Sequence, residues 1–295
     1  MSGEDDEEEV APEGLPGRWS PAAGRQEIEA QLAVIGRSAA AGFDLAEAAL
    51  LLAALDRPRV GLQRYRAHLE ETGRAVGALG ALTLAEAAAS LSEVLAGRLG
   101  YRGDEQTYDD LQNANLMRVI DRRRGLPVAL VILYLDAARR QGWAATALRF
   151  PGHVLIRIEV EGERTIIDPY HAGARLEAAE LRQLAKAIGG EAAELTPDHT
   201  LPLTDLEVLL RLQNNIKVRR LQQRQTASGL VALETMLLLA PGDWSLWLEA
   251  AELHQQLENL GAAAVALGHA ADLAPSAQQR AEAERRLASL RRRLN

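Results

Sequence analysis

The chain predicts an α+β fold: a helical N-terminal lobe, a mixed core with a small antiparallel sheet, and a C-terminal helical repeat. Three observations carry this. Apolar residues recur at helix spacing over most of the 295 residues. Between Ala147 and Asp168 the pattern changes to strand alternation around Val154, Ile156 and Ile158. Finally, Leu239-Ala240-Pro241 returns as Leu273-Ala274-Pro275, 34 residues later.

Taken in order, residues 1–24 carry acid, Pro and Gly without periodicity and read as a disordered acidic tail. Helical spacing starts at Glu27, with Ile28, Leu32 and Ile35 on one face and Gly42 as the stop. Asp44 is placed to cap Leu45–Leu55, and Pro58 ends that segment. An amphipathic helix follows over Leu62–Thr72, and Thr83-Leu84-Ala85-Glu86 is a capping box that opens Leu84–Arg98. A turn over Leu99–Asp104 leads to a short helix, Asn113–Arg123. Next comes an apolar helix, Pro127–Gln141, with Pro in its first turn. One strand is expected over Ala147–Glu159 and a second over Arg164–Asp168, joined by Glu161-Gly162-Glu163. Leu176–Ala187 returns to helix, and Thr196-Pro197 with Leu201-Pro202 marks a linker. This divides the chain into a tail (1–24), a core domain with its helical lobe (25–198) and a repeat domain (199–295).

Composition narrows the function classes. Net charge is −8, but six acids sit together at Glu4-Asp5-Asp6-Glu7-Glu8-Glu9, so the remainder is nearly balanced. Neither a nucleic-acid face nor a polybasic membrane anchor is indicated. The longest apolar run, Leu126–Leu135, is far too short to span a bilayer, and Asp136 closes it. The acidic start lacks the basic and apolar regions of a secretory leader, so a soluble cytoplasmic protein is expected. With no cysteine, disulfides, thiolate metal sites and thiol chemistry are all excluded.

The 34-residue interval is that of tetratricopeptide repeats, in which paired helices stack because neither can bury its apolar face alone. Counting back from Pro275 places Trp247 at the repeat's Trp position, Ala250 and Ala251 at its small positions, and Ala263, Leu267 and Ala270 on its second helix. Counting back from Pro241 places Ile216, Gly229, Leu233 and Met236 in matching places, with Gln213 where Trp belongs. One repeat is therefore regular and one degenerate. Ala281–Leu294 forms a terminal helix, with Arg291, Arg292 and Arg293 where the helix dipole favours cations.

The chemistry centres on a helix opening at Gly125-Leu126-Pro127-Val128-Ala129, then His153, then Asp168. Helix start, His and Asp is the order of a papain-type nucleophile, base and orienter. A nucleophile at a helix N-terminus is acidified by the dipole, a neighbouring His takes its proton, and an Asp holds the imidazole. Across a hairpin, His153 and Asp168 can sit side by side. A zinc site from His153, Asp168 and His171 has suitable ligand types. Asp168 and His171 flank Pro169, however, and nothing in the spacing makes them converge, so no metal or cofactor is expected.

Further blocks accompany this set: Phe43-Asp44-Leu45, Gly103-Asp104 with Tyr108-Asp109-Asp110, and Asn113-Ala114-Asn115-Leu116. Arg122-Arg123-Arg124-Gly125-Leu126-Pro127-Val128, Phe150-Pro151-Gly152-His153 and Ile167-Asp168-Pro169 complete them. Together with the repeats, they make residues 27–290 similar to the bacterial SirB family, a transglutaminase-like domain followed by tetratricopeptide-like repeats. The resemblance implies a degenerate transglutaminase-like core, with His153 as base, Asp168 as orienter and Ala129 at the nucleophile position, where the family often carries Ser. Alanine has no heteroatom beyond Cβ, and no Ser or Thr lies between Thr107 and Thr146.

Two functions differ in kind. In the favoured one, the chain is a non-catalytic interaction protein holding a protein or peptide partner in the repeat groove. The alternative is a hydrolase or amide-processing enzyme using a residual His153–Asp168 dyad. Candidate binding residues are Asn113 (or a helix cap), Trp247 (or repeat packing), and Lys217 and Arg220 on a basic helix face shared with Arg219 and Arg224. Arg122, Arg123 and Arg124 read as a salt-bridged surface before an anion site.

Overall fold

A computed structural model of the chain describes residues 21–294. The acidic tail expected over 1–24 falls outside the described residues as far as residue 20. Its last positions are helical, since α1 spans Pro21–Ser38. Helix α2 (Leu45–Asp56) is capped by the Asp44 carboxylate, which accepts the Glu47 amide at 2.9 Å, and it is buried on nearly every side. After α3 (Gln63–Gly77), the capping box of Thr83 and Glu86 starts α4 (Leu84–Leu91) as the sequence indicates. The expected continuation to Arg98 is instead a π-helical stretch, Ser92–Arg98.

The turn after it holds an unforeseen strand. β1 (Arg102–Gly103) pairs in parallel with β2 (Arg124–Gly125), tying the loop to the start of the central helix. Between them lies α5 (Leu116–Arg122), and Asn115 rather than Asn113 caps it by accepting the Arg118 amide. Helix α6 (Pro127–Arg139) follows, wholly buried through its first nine residues.

The single strand expected over Ala147–Glu159 is two strands. Pro151-Gly152 forms a tight turn, with Gly152 at φ 64, between β3 (Ala144–Phe150) and β4 (His153–Val160). With β5 (Glu163–Asp168) and β6 (Ala174–Leu176), they make an antiparallel sheet ordered β3-β4-β5-β6. Val154, Ile156, Ile158 and Ile167 bury in the main core with α6. Leu148, Phe150 and Leu155 bury against Leu181 and Ala185 of α7 (Ala178–Gly189). The linker lies along β3, where the Arg149 amide donates to Leu201 O and the Leu203 amide to Ala147 O, both at 2.8 Å.

The C-terminal region is two helix pairs and a final helix: α8 (Asp205–Gln222) with α9 (Thr226–Leu239), α10 (Trp244–Gln256) with α11 (Leu260–Leu273), then α12 (Ala277–Leu294). Gly229 lets α9 approach α8, since a Cβ there would lie 2.6 Å from Leu221 Cδ2. Ala250, Ala251, Ala263, Leu267 and Ala270 are buried where the 34-residue period places them. The first half of α8 is buried differently: Val208, Leu209 and Leu212 enter the core of α2 and α6, so one helix belongs to both regions. Gly36 of α1 in turn packs on the α9 backbone, where a Cβ would lie 2.5 Å from Leu239 O. Among the described residues, no helix is long and apolar enough to cross a membrane.

Candidate functional site

His153 opens β4 and Asp168 closes β5. The β4–β5 register pairs Ile156 with Ile167. One step further sets Asp168 opposite Leu155, so Asp168 and His153 meet on a diagonal rather than directly across. His153 Nε2 lies 2.9 Å from Asp168 Oδ1 and 3.0 Å from Oδ2. Both residues are buried, His153 6% and Asp168 1% exposed. Nδ1 of His153 has no hydrogen-bond partner among the described residues, so the imidazole's other edge is free.

The Asp168 carboxylate has two more partners. Its Oδ1 accepts the Tyr170 amide at 2.9 Å, and its Oδ2 lies 2.7 Å from His171 Nδ1. A 3₁₀ turn over Pro169–His171, ended by Ala172 in the left-handed region at φ 57, folds His171 back onto the carboxylate. That convergence is invisible in the spacing of the three residues. Burial by itself would raise the Asp168 pKa, but hydrogen bonding and charge from His153 and His171 hold it below the usual carboxylate range.

The α6 start faces this pair without a nucleophile. A space of about 30 Å³ beside His153 is bounded by Pro127 and Val128 of α6, by Tyr108, and by Arg211 and Asn215 of α8. Ala129, the nucleophile position that the resemblance implies, does not line this space and is wholly buried in the core. Leu126, Pro127, Val128 and Ala129 all lack a side-chain heteroatom.

Aromatic and cationic groups enclose the pair. The Tyr170 ring meets His153 edge-on, with centroids 5.7 Å apart at 87°, and Tyr108 packs on Tyr170 at 6.3 Å. Gly103 makes room for Tyr170, since a Cβ would lie within 2.5 Å of the ring. Beside Gly103, Asp104 accepts the Thr107 amide at 3.0 Å and its hydroxyl at 2.6 Å, and meets Arg122 at 3.1 Å. Burial opposes ionisation of Asp104, yet the Thr107 hydrogen bonds, with Asn113 and the Arg122 charge, bring its pKa down to about 2. Arg211 donates to His153 O at 2.8 Å and has no carboxylate partner among the described residues. Its desolvation lowers the guanidinium pKa.

Sequence reasoning missed Tyr170, Arg211 and Asn215. Tyr170 follows Pro169 in a block it did use, whereas Arg211 and Asn215 lie on a repeat helix whose contact with the sheet has no local signal. The other candidates are dispersed. Asn113 is fully buried, donating to Thr107 O at 2.7 Å and accepting from Arg122 at 3.0 Å, so it braces the loop. Lys217 is buried in a 2.5 Å ion pair with Glu249 of α10. Arg219 turns to Asp109 and the Tyr108 ring, while Arg220 donates to Gln225, so these residues form no continuous basic face. Trp247 donates to Pro241 O at 2.8 Å and stacks on His269 at 4.3 Å, which ties the repeat together. Arg123, in the left-handed region, lies over the Tyr101 ring and donates to His68 Nε2 at 2.8 Å.

Comparison with known proteins agrees with this architecture. A tetratricopeptide-repeat family model matches residues 216–288. A UPF0162 protein of Xylella fastidiosa is 34% identical over 134 residues, covering 43% of this chain and 47% of that protein. A UPF0162 protein of Pseudomonas aeruginosa is 26% identical over 200 residues, covering 67% and 72%. Human F-box only protein 21 shares 32% identity over 68 residues, 23% of this chain and 11% of that protein. The match thus spans about half the length of the Xylella relative. No solved structure is significantly similar to the chain. The model of the transglutaminase-like superfamily matches residues 62–214, which hold α6, His153, Asp168 and the Arg211 end of α8, and the chain belongs to that superfamily.

Proposed function

We propose that this protein, a SirB-type member of its superfamily in the cytoplasm, is a non-catalytic interaction protein. In this reading the transglutaminase-like domain is a scaffold that has lost its nucleophile. The observation that carries the reading is the space beside His153. About 30 Å³ accommodates one water molecule, whereas ligand sites are typically several hundred Å³. No residue from Leu126 to Ala129 can attack a carbonyl, so an acyl-enzyme has neither an attacking atom nor room for its substrate. The partner is a protein or peptide held by the repeats. A groove of about 170 Å³ between α1, α2, α8 and α9, lined by Leu55, Ile216 and Val231 with Arg25, Asp56 and Arg220 around them, suits an apolar side chain with polar neighbours.

The free Nδ1 of His153 beside a water-sized space favours one second reading, in which the dyad is a general base for hydrolysis. The full chain incubated with p-nitrophenyl acetate and with a glutamine-containing peptide separates the two. The scaffold reading expects no acyl adduct by intact mass and the same background hydrolysis in wild type and His153→Ala. Hydrolysis that falls at least tenfold in His153→Ala, with the melting profile preserved, would overturn it.

A further inference from the structure

We propose that His153, Asp168 and His171 form a binding site for a divalent transition-metal ion of the zinc class. His153 Nε2, an Asp168 carboxylate oxygen and His171 Nδ1 all lie within 4.8 Å of one another. The three converge on one oxygen: Asp168 Oδ2 is 3.0 Å from His153 Nε2 and 2.7 Å from His171 Nδ1. With metal–ligand bonds of about 2.0–2.1 Å, neighbouring ligand atoms in a tetrahedral site are roughly 3.3 Å apart. The two contacts to Asp168 Oδ2 need to lengthen by only about half an ångström to accept an ion.

The rest of the geometry supplies what such a site requires. Asp168 Oδ1 is anchored by the Tyr170 amide at 2.9 Å, which orients the carboxylate and leaves Oδ2 to ligate. Two imidazoles and one carboxylate are the donor set of open zinc and facial-triad sites, with remaining positions for water. Asp168 is 1% exposed while the His171 side chain is 50% exposed, so one side of the trio is rigid and the other opens to solvent. In the metal-free form, each imidazole offers an N–H to the carboxylate. Coordination moves that proton to the opposite ring nitrogen, which is Nδ1 in His153 and Nε2 in His171, with no net proton transfer to the protein. Neither of those nitrogens has a protein partner among the described residues, so both can carry it. The dipositive ion then balances the charge of a carboxylate that is 1% exposed.

Titration of the tag-free full chain with Co²⁺, followed by its visible ligand-field absorption, and with Zn²⁺ by calorimetry tests the assignment. The expected result is one ion per chain, with affinity at least tenfold weaker in His171→Ala. Because His171 is half exposed, that substitution leaves the fold in place, and thermal melting checks this directly. Zn²⁺ should raise the melting temperature of wild type and leave that of His171→Ala unchanged. Absence of a Co²⁺ spectrum at millimolar ion overturns the proposal. So does His171→Ala binding as tightly as wild type, which would place the ion on the acidic N-terminal segment or another histidine.

Discussion

Gly103 and Tyr170 offer a quantitative test of how the site is held. A methyl group at position 103 would lie 2.5 Å or less from three atoms of the Tyr170 ring. Carbon atoms in contact are comfortable at about 3.5–4.0 Å, so the ring must retreat by more than an ångström. It has little freedom to do so, because Tyr108, His153 and His171 contact it at centroid distances of 6.3, 5.7 and 5.2 Å. Overpacking of this kind costs about 1–3 kcal/mol, and removing a glycine from the unfolded chain returns roughly 0.4–1 kcal/mol. Gly103→Ala should therefore destabilise by about 1–2 kcal/mol in urea denaturation followed by circular dichroism. In a Tyr170→Ala background the obstructing atoms are gone, and the same substitution should cost nothing or stabilise slightly. A coupling of about 1 kcal/mol or more is expected from the double-mutant cycle. Equal costs in both backgrounds would refute the claim that Gly103 exists to seat Tyr170 against His153.

Three further outcomes follow from the same geometry. Asp104, held at about 2, ionises more readily folded than unfolded. Its contribution is therefore complete above about pH 4 and lost as pH falls toward 2. Asp104→Asn should remove about 1–2 kcal/mol of stability at pH 7 and little at pH 2, read from denaturation at both pH values. Glu249→Ala strands the buried Lys217 ammonium and should cost about 2 kcal/mol, whereas Lys217→Met leaves only a one-third-exposed carboxylate and should cost under about 1 kcal/mol. In this cysteine-free chain, a single thiol introduced by Val128→Cys lies at a helix start beside His153. It should react with methyl methanethiosulfonate at least tenfold faster than the thiol of Ala129→Cys, with a pH midpoint below about 8.5. A faster Ala129→Cys would mean that position 129, not 128, faces the imidazole.

Local signals were legible in proportion to how local their physics is. The capping box of Thr83 and Glu86, the cap at Asp44, the 34-residue period and the His153–Asp168 pair all follow from nearby residues or a fixed spacing. Pro151-Gly152 is a turn dipeptide, but the β-prone residues on both sides of it make the two strands look like one in sequence. His171 reaches Asp168 because Pro169–His171 forms a 3₁₀ turn, which brings side chains three residues apart to one side, and a three-residue turn has no period to read. Arg211 and Asn215 meet His153 through docking of α8 on the sheet, a tertiary event with no sequence period. The same docking explains why the boundary at 199 is not a structural break: removing 199–295 would strip Val208, Leu209 and Leu212 from the main core. Point variants of the full chain are the appropriate probes of partner binding.

The central claim, that function resides in the repeat groove and not in the His153 centre, is tested most directly by quantitative affinity capture from the organism that encodes the chain. Wild type, His153→Ala and Val231→Asp should be compared, each first confirmed folded by thermal melting. Val231 is exposed on the groove wall, so an added carboxylate should abolish capture of the specific partner without entering the core. The account predicts that Val231→Asp loses that partner at least tenfold while His153→Ala retains it within twofold. Loss in His153→Ala with retention in Val231→Asp would contradict it.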